Sequence, residues 1–127
     1  MPRSPSRPKS KARIAAYRGG HRGEALAAWY LRLKCYRILA RRYKTPLGEI
    51  DLIAERWGVI VFVEVKARAR AESLLETLES INAGRIMRAA EYWLARHPKR
   101  AASDRRFDVI FLVPWRWPYH LANAFGF

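Results

Sequence analysis

Acidic residues are scarce in this chain. Its 127 residues hold 11 Asp and Glu against 25 Lys and Arg, a formal net charge of +14. Cysteine is scarcer still: Cys35 stands alone, so no internal disulfide can form, and no Cys/His spacing reads as a zinc site. A single thiol suits a reducing compartment, and a cytoplasmic location is expected. No apolar run approaches the roughly 20 residues that a membrane-spanning helix needs. The basic N-terminus is not followed by an apolar segment, so no secretory leader is expected and no membrane partner either. What the chain has in quantity is apolar residues, 50% of the total. That fraction excludes a wholly disordered basic protein and leaves enough side chains for one core.

The positive charge is unevenly distributed. The first 23 residues contain seven bases (Arg3, Arg7, Lys9, Lys11, Arg13, Arg18, Arg22) and no acid. Residues 1–19, rich in Pro, Ser and base, have no helical or strand periodicity and are expected to form a disordered basic arm. Residues 20–127 are expected to form one domain that is itself basic. Both parts would attract a polyanion, and nucleic acid, DNA first, is the partner that this charge suggests.

Periodicity then predicts the elements. Leu26, Trp29, Tyr30 and Leu33 recur at helical spacing over 21–34, and residues 36–43 read as a short strand before a turn at Lys44–Gly48. Glu49–Glu55 and Val59–Lys66 are strong strand signals, joined by a connection short enough only for a hairpin. Helices are expected over 72–79 and 82–97, the second stopped by Pro98, then a strand over 107–113. The final HLANAFGF reads as a short docked helix. This order predicts an α/β domain with one central mixed sheet flanked by helices.

The hairpin carries the most informative residues. Side chains alternate along a strand, so Glu49 and Asp51 share a face, as do Glu64 and Lys66. A turn centred on Trp57-Gly58 sets Asp51 opposite Glu64 and Glu49 opposite Lys66, where directly opposed side chains start about 5 Å apart at Cβ. Ile50, Leu52, Ala54, Val61, Val63 and Val65 form the other face, which is apolar throughout and must be core. Opposed carboxylates repel, and a divalent cation would remove the repulsion; Mg²⁺ binds through one or two carboxylates plus phosphate oxygens and water. The competing reading is a solvated strand face laced by ion pairs. Glu64 and Lys66 sit inside a Val/Phe run, where an unpaired charge is costly, and this favours the metal reading.

Gly48-Glu49-Ile50-Asp51-Leu52-Ile53, a hairpin, and then Val61-Phe62-Val63-Glu64-Val65-Lys66-x-Arg68 resembles the PD-(D/E)xK nuclease signature. More closely, the chain resembles the YraN-like (UPF0102) family, distantly similar to archaeal Holliday junction resolvases. The likeness extends to Gly23-Glu24-Ala25, Arg106-Phe107-Asp108-Val109 and Asn123-Ala124-Phe125. It implies a restriction-endonuclease-like fold and Mg²⁺- or Mn²⁺-dependent hydrolysis of DNA phosphodiester bonds, with branched DNA as one substrate class and a homodimer as one assembly. By position it implies Asp51 and Glu64 as metal ligands and Lys66 as the group that positions water or stabilises the transition state. Glu24 would reach the site from the first helix as a further acid, and Glu49 would be an additional ligand or a partner for Lys66. Arg41, Arg42, Lys44, Arg68, Arg70 and Arg85 are the candidate nucleic-acid contacts. Where relatives commonly carry a Lys after the hairpin, this chain reads Ile81-Asn82-Ala83-Gly84-Arg85, so that basic contact is either lost or moved to Arg85.

Two rival functions stand beside the nuclease. One is a nuclease-like module that grips nucleic acid without cutting, and the other is a small interaction protein that docks through its tryptophans. Trp29 and Trp93 are expected in the core, Trp57 either packs on the sheet or stacks on a partner, and Trp115 and Trp117 are expected to cover a sheet edge. Cys35 is expected as a small core residue and Asp108 as a structural acid paired with Arg106 or a backbone group. His21, His97 and His120 have no ligand spacing.

Overall fold

The strands form one five-stranded sheet in the order β1-β2-β3-β4-β5. The computed structural model describes residues 23–68 and 74–126. The expected basic arm at 1–19, His21 and Arg70 lie outside the described residues. Helix α1 covers residues 23–33. It is followed by β1 (Arg37–Thr45), β2 (Gly48–Arg56), β3 (Val59–Ala67), α2 (Leu74–Glu79), α3 (Ala83–Ala95), a 3₁₀ turn (Pro98–Arg100), β4 (Asp104–Leu112) and β5 (Tyr119–Phe125). The first three strands form an antiparallel meander, β4 runs parallel to β3, and β5 returns antiparallel to β4. The α2–α3 segment is the crossover that a parallel β3–β4 pair requires. This is the expected single α/β domain, a mixed sheet flanked by helices, consistent with a restriction-endonuclease-like fold. Among the described residues no helix is long and apolar enough to cross a membrane.

Both faces of the sheet are buried. On one face Ala27, Ala28 and Leu31 of α1 pack against Leu52, Ala54, Val61, Val63, Ile110 and Leu112. On the other face Ile86, Ala89, Ala90, Trp93 and Leu94 of α3 pack against Ile53, Ile60, Phe62 and Phe107. The β2–β3 register is the expected one: Arg56 pairs with Val59, and the ladder runs through Ile53–Phe62 to Leu52–Val63. Trp57 and Gly58 both have positive φ (52° and 79°), as the tight hairpin turn that matches strand twist demands. Ile50 departs from the alternation. It is buried in the α3-side cluster, with its β1 partner Tyr43 packed against the same cluster, next to Arg42 at φ 48°.

Four expectations are corrected. The C-terminal segment is strand β5, not a helix; the ladder edge of β4 needs a partner, and Phe125 stacks on Phe107 at 5.3 Å as it supplies one. The buried stripe of α1 is Glu24, Ala27, Ala28 and Leu31, whereas Leu26, Trp29 and Leu33 are exposed. Small alanines let the helix approach the sheet closely, so the bulkier apolar residues face outward. Trp29 is therefore not core; it stacks on Trp117, which covers α1 rather than a sheet edge. Cys35 is exposed with φ 69° at the end of α1. There Tyr36 N–H donates to Leu31 O and Cys35 N–H to Arg32 O, the hydrogen-bond pair of a Schellman cap. Trp93 is buried as expected, and Trp57 stands 83% exposed at the hairpin tip beneath the Arg56 guanidinium.

Candidate functional site

Strand alternation carries β2 and β3 out of the core and into a cleft. Going up β3 on the α3 face, Ile60 and Phe62 are buried, and the next two side chains on that face are Glu64 and Lys66. On β2, Ile53 is buried and Asp51 and Glu49 follow toward the strand start. The start of α3 closes the opposite wall. The result is a cleft of about 360 Å³ lined by Glu49, Asp51, Glu64, Lys66, Ser80, Asn82, Arg85 and Ile86.

Asp51 and Glu64 meet in this cleft, close enough for each carboxyl to act on the other. Asp51 Oδ2 accepts the Val65 backbone N–H at 2.7 Å, which ties the carboxyl to the neighbouring strand. Lys66 Nζ lies 3.5 Å from Glu64 Oε2, and both side chains are about one-fifth exposed. Burial first, and then the Asp51 charge, push the Glu64 carboxyl up to about 7, with Lys66 opposing. Burial also raises Asp51, and the Val65 N–H opposes it. Two neighbouring carboxyls of raised proton affinity beside a lysine can take a proton or a cation between them. A hard divalent ion that takes one or two carboxylates and completes its shell with water and phosphate oxygens fits this donor set. Among the described residues no group of three or more His, Cys, Asp or Glu side chains is arranged to hold a metal.

The cations face the acids across the cleft. Asn82 Oδ1 accepts the Arg85 backbone N–H at 3.1 Å and so caps α3, which sets Arg85 in the first turn of that helix. The Arg85 side chain lies against Gly48. A Cβ at Gly48 (φ 153°) would fall 2.9 Å from Arg85 Cγ and 3.2 Å from its carbonyl oxygen, so only glycine permits this approach. Arg85 thus stands in the cleft, opposite the acids.

The other expected site residues are elsewhere. Glu24 is 3% exposed and is held by Arg41 Nε and, at 3.5 Å, by Arg42 Nε. It is not among the residues lining the cleft, so the structure makes it the anchor between α1 and β1. A buried acid on a helix facing two arginines satisfies its charge there, and both arginines stay about half exposed. Lys44 is exposed on β1, and Arg68 follows β3 with its backbone N–H donating to Leu112 O at 2.9 Å. Ser80 and Asn82 were not anticipated in the wall. An Asn directly before a helical run was the available signal for Asn82; Ser80 had none, because its place depends on the path of the crossover.

Asp108 has the structural role expected of it. It is fully buried and accepts from Arg106 Nε and Nη2 (2.8 and 2.9 Å), from the Asn123 backbone N–H (2.9 Å) and from His120 Nε2 (2.6 Å). Burial alone would raise its carboxyl, but these hydrogen bonds outweigh it and hold the group below the usual range.

Comparison with known proteins gives the family. The model of the Uncharacterised protein family UPF0102 matches residues 23–112, a span that holds α1, the hairpin, the cleft and β4. UPF0102 protein mlr4633 of Mesorhizobium japonicum is 54% identical over 119 residues, covering 91% of this chain and 93% of its own length. A UPF0102 protein of a Chelativorans species is 51% identical over 115 residues, covering 91% and 93%. UPF0102 protein RPA0323 of Rhodopseudomonas palustris is 50% identical over 120 residues, covering 94% and 92%. The family match spans most of the chain and the relatives match it nearly end to end: this chain belongs to the UPF0102 family.

Proposed function

We propose that the chain is a metal-dependent endonuclease that hydrolyses DNA phosphodiester bonds, with branched DNA as a substrate class. The observation that carries this reading is the contact pair Asp51–Glu64 beside Lys66, facing Arg85 across one cleft of a basic protein. Asp51 and Glu64 would hold a Mg²⁺ or Mn²⁺ ion, with Glu49 farther out on the rim of the cleft. When bound, such an ion polarises the phosphodiester and lowers the pKa of a coordinated water. Lys66 places a positive charge next to the carboxylates, where it orients the attacking water and offsets the charge that develops on the phosphate. Arg85 presents a planar guanidinium from the opposite wall, suited to gripping phosphate oxygens in a bidentate manner. Arg41, Arg42, Lys44 and Arg68 extend the positive field outside the cleft and favour capture of the polyanion.

The test is incubation of the purified chain with linear, nicked, flapped and four-way DNA in Mg²⁺ or Mn²⁺. Cleavage is expected, and both Asp51→Asn and Glu64→Gln are expected to lower it by about 100-fold or more. Absence of cutting on every substrate, or cutting that survives both substitutions, overturns the reading. A second reading is a non-cleaving nucleic-acid-binding module. Its support is the position of Glu24, which Arg41 and Arg42 hold outside the cleft, leaving two abutting acids rather than three. It expects salt-dependent DNA binding that Asp51→Asn leaves unchanged.

A further inference from the structure

A second surface, separate from the cleft, is built of exposed aromatic rings. Trp117 stacks on Trp29 with ring centroids 6.3 Å apart and 13° between the planes, and the Tyr30 ring lies 6.3 Å from Trp117, tilted by 43°. Trp29 is 45% exposed, Trp117 70%, and Trp115 projects wholly into solvent. An exposed apolar patch of this kind marks a contact surface.

The surroundings say what kind of contact it is. Residues 25–35 and 113–121 contain Arg32, Lys34 and Arg116 and no Asp or Glu. Lys34 Nζ lies 5.1 Å from the Tyr30 ring centroid and 2.8 Å from His120 Nδ1. Arg32 and Arg116 are exposed. A second copy of this chain meeting the patch across a two-fold axis would bring the same charges against themselves. A polyanion with flat apolar rings fits both the charge and the aromatic faces. Leu112 pairs with Ala67, one residue beyond Lys66, and its carbonyl accepts the Arg68 N–H. The segment that carries Trp115 and Trp117 leaves the sheet at the end where the cleft opens and turns onto the α1 face, opposite the cleft.

We propose that Trp115, Trp117 and Trp29 form a stacking platform for unpaired nucleobases, with Arg32, Lys34 and Arg116 receiving the adjoining phosphates. The inference rests on the nucleic-acid reading of the cleft and narrows its substrate to one that carries a single-stranded segment, which the platform would hold on the face of the sheet opposite the cleft. Stacking is tolerant of sequence because every base presents a flat face.

The experiment measures binding of labelled oligo(dT), and of a blunt duplex of equal length, across a range of salt and without divalent cation. The expected result is that Trp117→Ala weakens oligo(dT) binding by about 10-fold and duplex binding by about 2-fold or less. The slope of log affinity against log salt should stay unchanged, because no phosphate contact is lost. Trp117→Tyr should restore most of the affinity. Trp115→Ala, at a fully exposed position, cannot disturb the core and should weaken oligo(dT) in the same direction. Equal oligo(dT) affinity in wild type and the Trp115→Ala/Trp117→Ala double variant overturns the proposal. So does an equal loss on both DNAs, or sedimentation in which Trp117→Ala splits a dimer while oligo(dT) affinity stays intact. If no DNA is cut yet oligo(dT) binding depends on Trp117, the cleft reading fails and the platform stands. If cutting is intact and oligo(dT) binding ignores Trp117, the platform fails alone.

Discussion

Two groups of buried carboxyls sit on the same sheet and are treated in opposite ways. Asp108, on β4, is completely buried and receives four hydrogen bonds from Arg106, His120 and the Asn123 backbone. Asp51 and Glu64, on β2 and β3, are less buried, yet they abut each other with Lys66 as the adjacent cation. Asp108 is held below the ordinary carboxyl range, and Asp51 and Glu64 are held above theirs. Burial acts on all three, so burial does not make the difference. The difference lies in whether the fold supplies enough donors. The fold completes the shell of Asp108 and leaves that of the pair to be completed from outside, and that is the physical meaning of a site.

The largest effect should come from Asp108→Ala. Arg106 and His120 would lose their common partner inside the protein, at a cost of about 3–5 kcal/mol, read as a fall in the midpoint of urea unfolding. A loss of under about 1 kcal/mol would erase the contrast between the two groups. Next is Gly48→Ala, which forces the Arg85 side chain and backbone away from β2; a loss of about 1–3 kcal/mol is expected, together with weaker DNA binding. Glu64→Gln should have the opposite sign. The native Glu64 keeps its proton up to about 7, whereas the unfolded chain releases it near the ordinary 4.5. The native state therefore binds more protons between those values, and wild-type stability falls as pH rises through that window. Glu64→Gln lacks this decline and should be about 1–2 kcal/mol more stable than wild type at pH 8, with the gain gone at pH 4.5, in parallel thermal melts. Asp108 works in the other direction: its contribution is present above the ordinary Asp value of 3.8 and is lost as pH falls through its lower folded value.

Much of the site was legible because strand alternation is local. A two-residue turn fixes register, and the acids and lysine within a Val/Phe run can only lie on one face. That pattern alone brings Glu49, Asp51, Glu64 and Lys66 together. On the opposite wall Arg85 was a candidate by resemblance and Asn82 had a helix-cap signal, but Ser80 had none, since it reaches the cleft only through the path of the crossover between β3 and β4. The face of α1 was misread for a packing reason. Size suggested Leu26, Trp29 and Leu33, but close approach to a sheet favours Ala27 and Ala28, and only the facing surface decides that. Strand β5 was hidden for a similar reason: its Ala- and Asn-containing sequence has weak strand preference, and its pairing with β4 is a long-range event.

The outermost strands carry one last consequence. β1 forms one edge of the sheet and holds Arg37, Arg41, Arg42 and Lys44, with a register shift between Ile38 and Ala40. β5 forms the other edge and has its own irregularity opposite Phe107–Val109, with Asn123 at φ 55°. Unguarded edges invite a neighbouring copy to add its strand, and like charge and bulges are the means by which proteins refuse the addition. The arginines of β1 therefore keep the sheet from growing, and a concentrated preparation should resist fibre formation most strongly at low salt, where those charges are least screened.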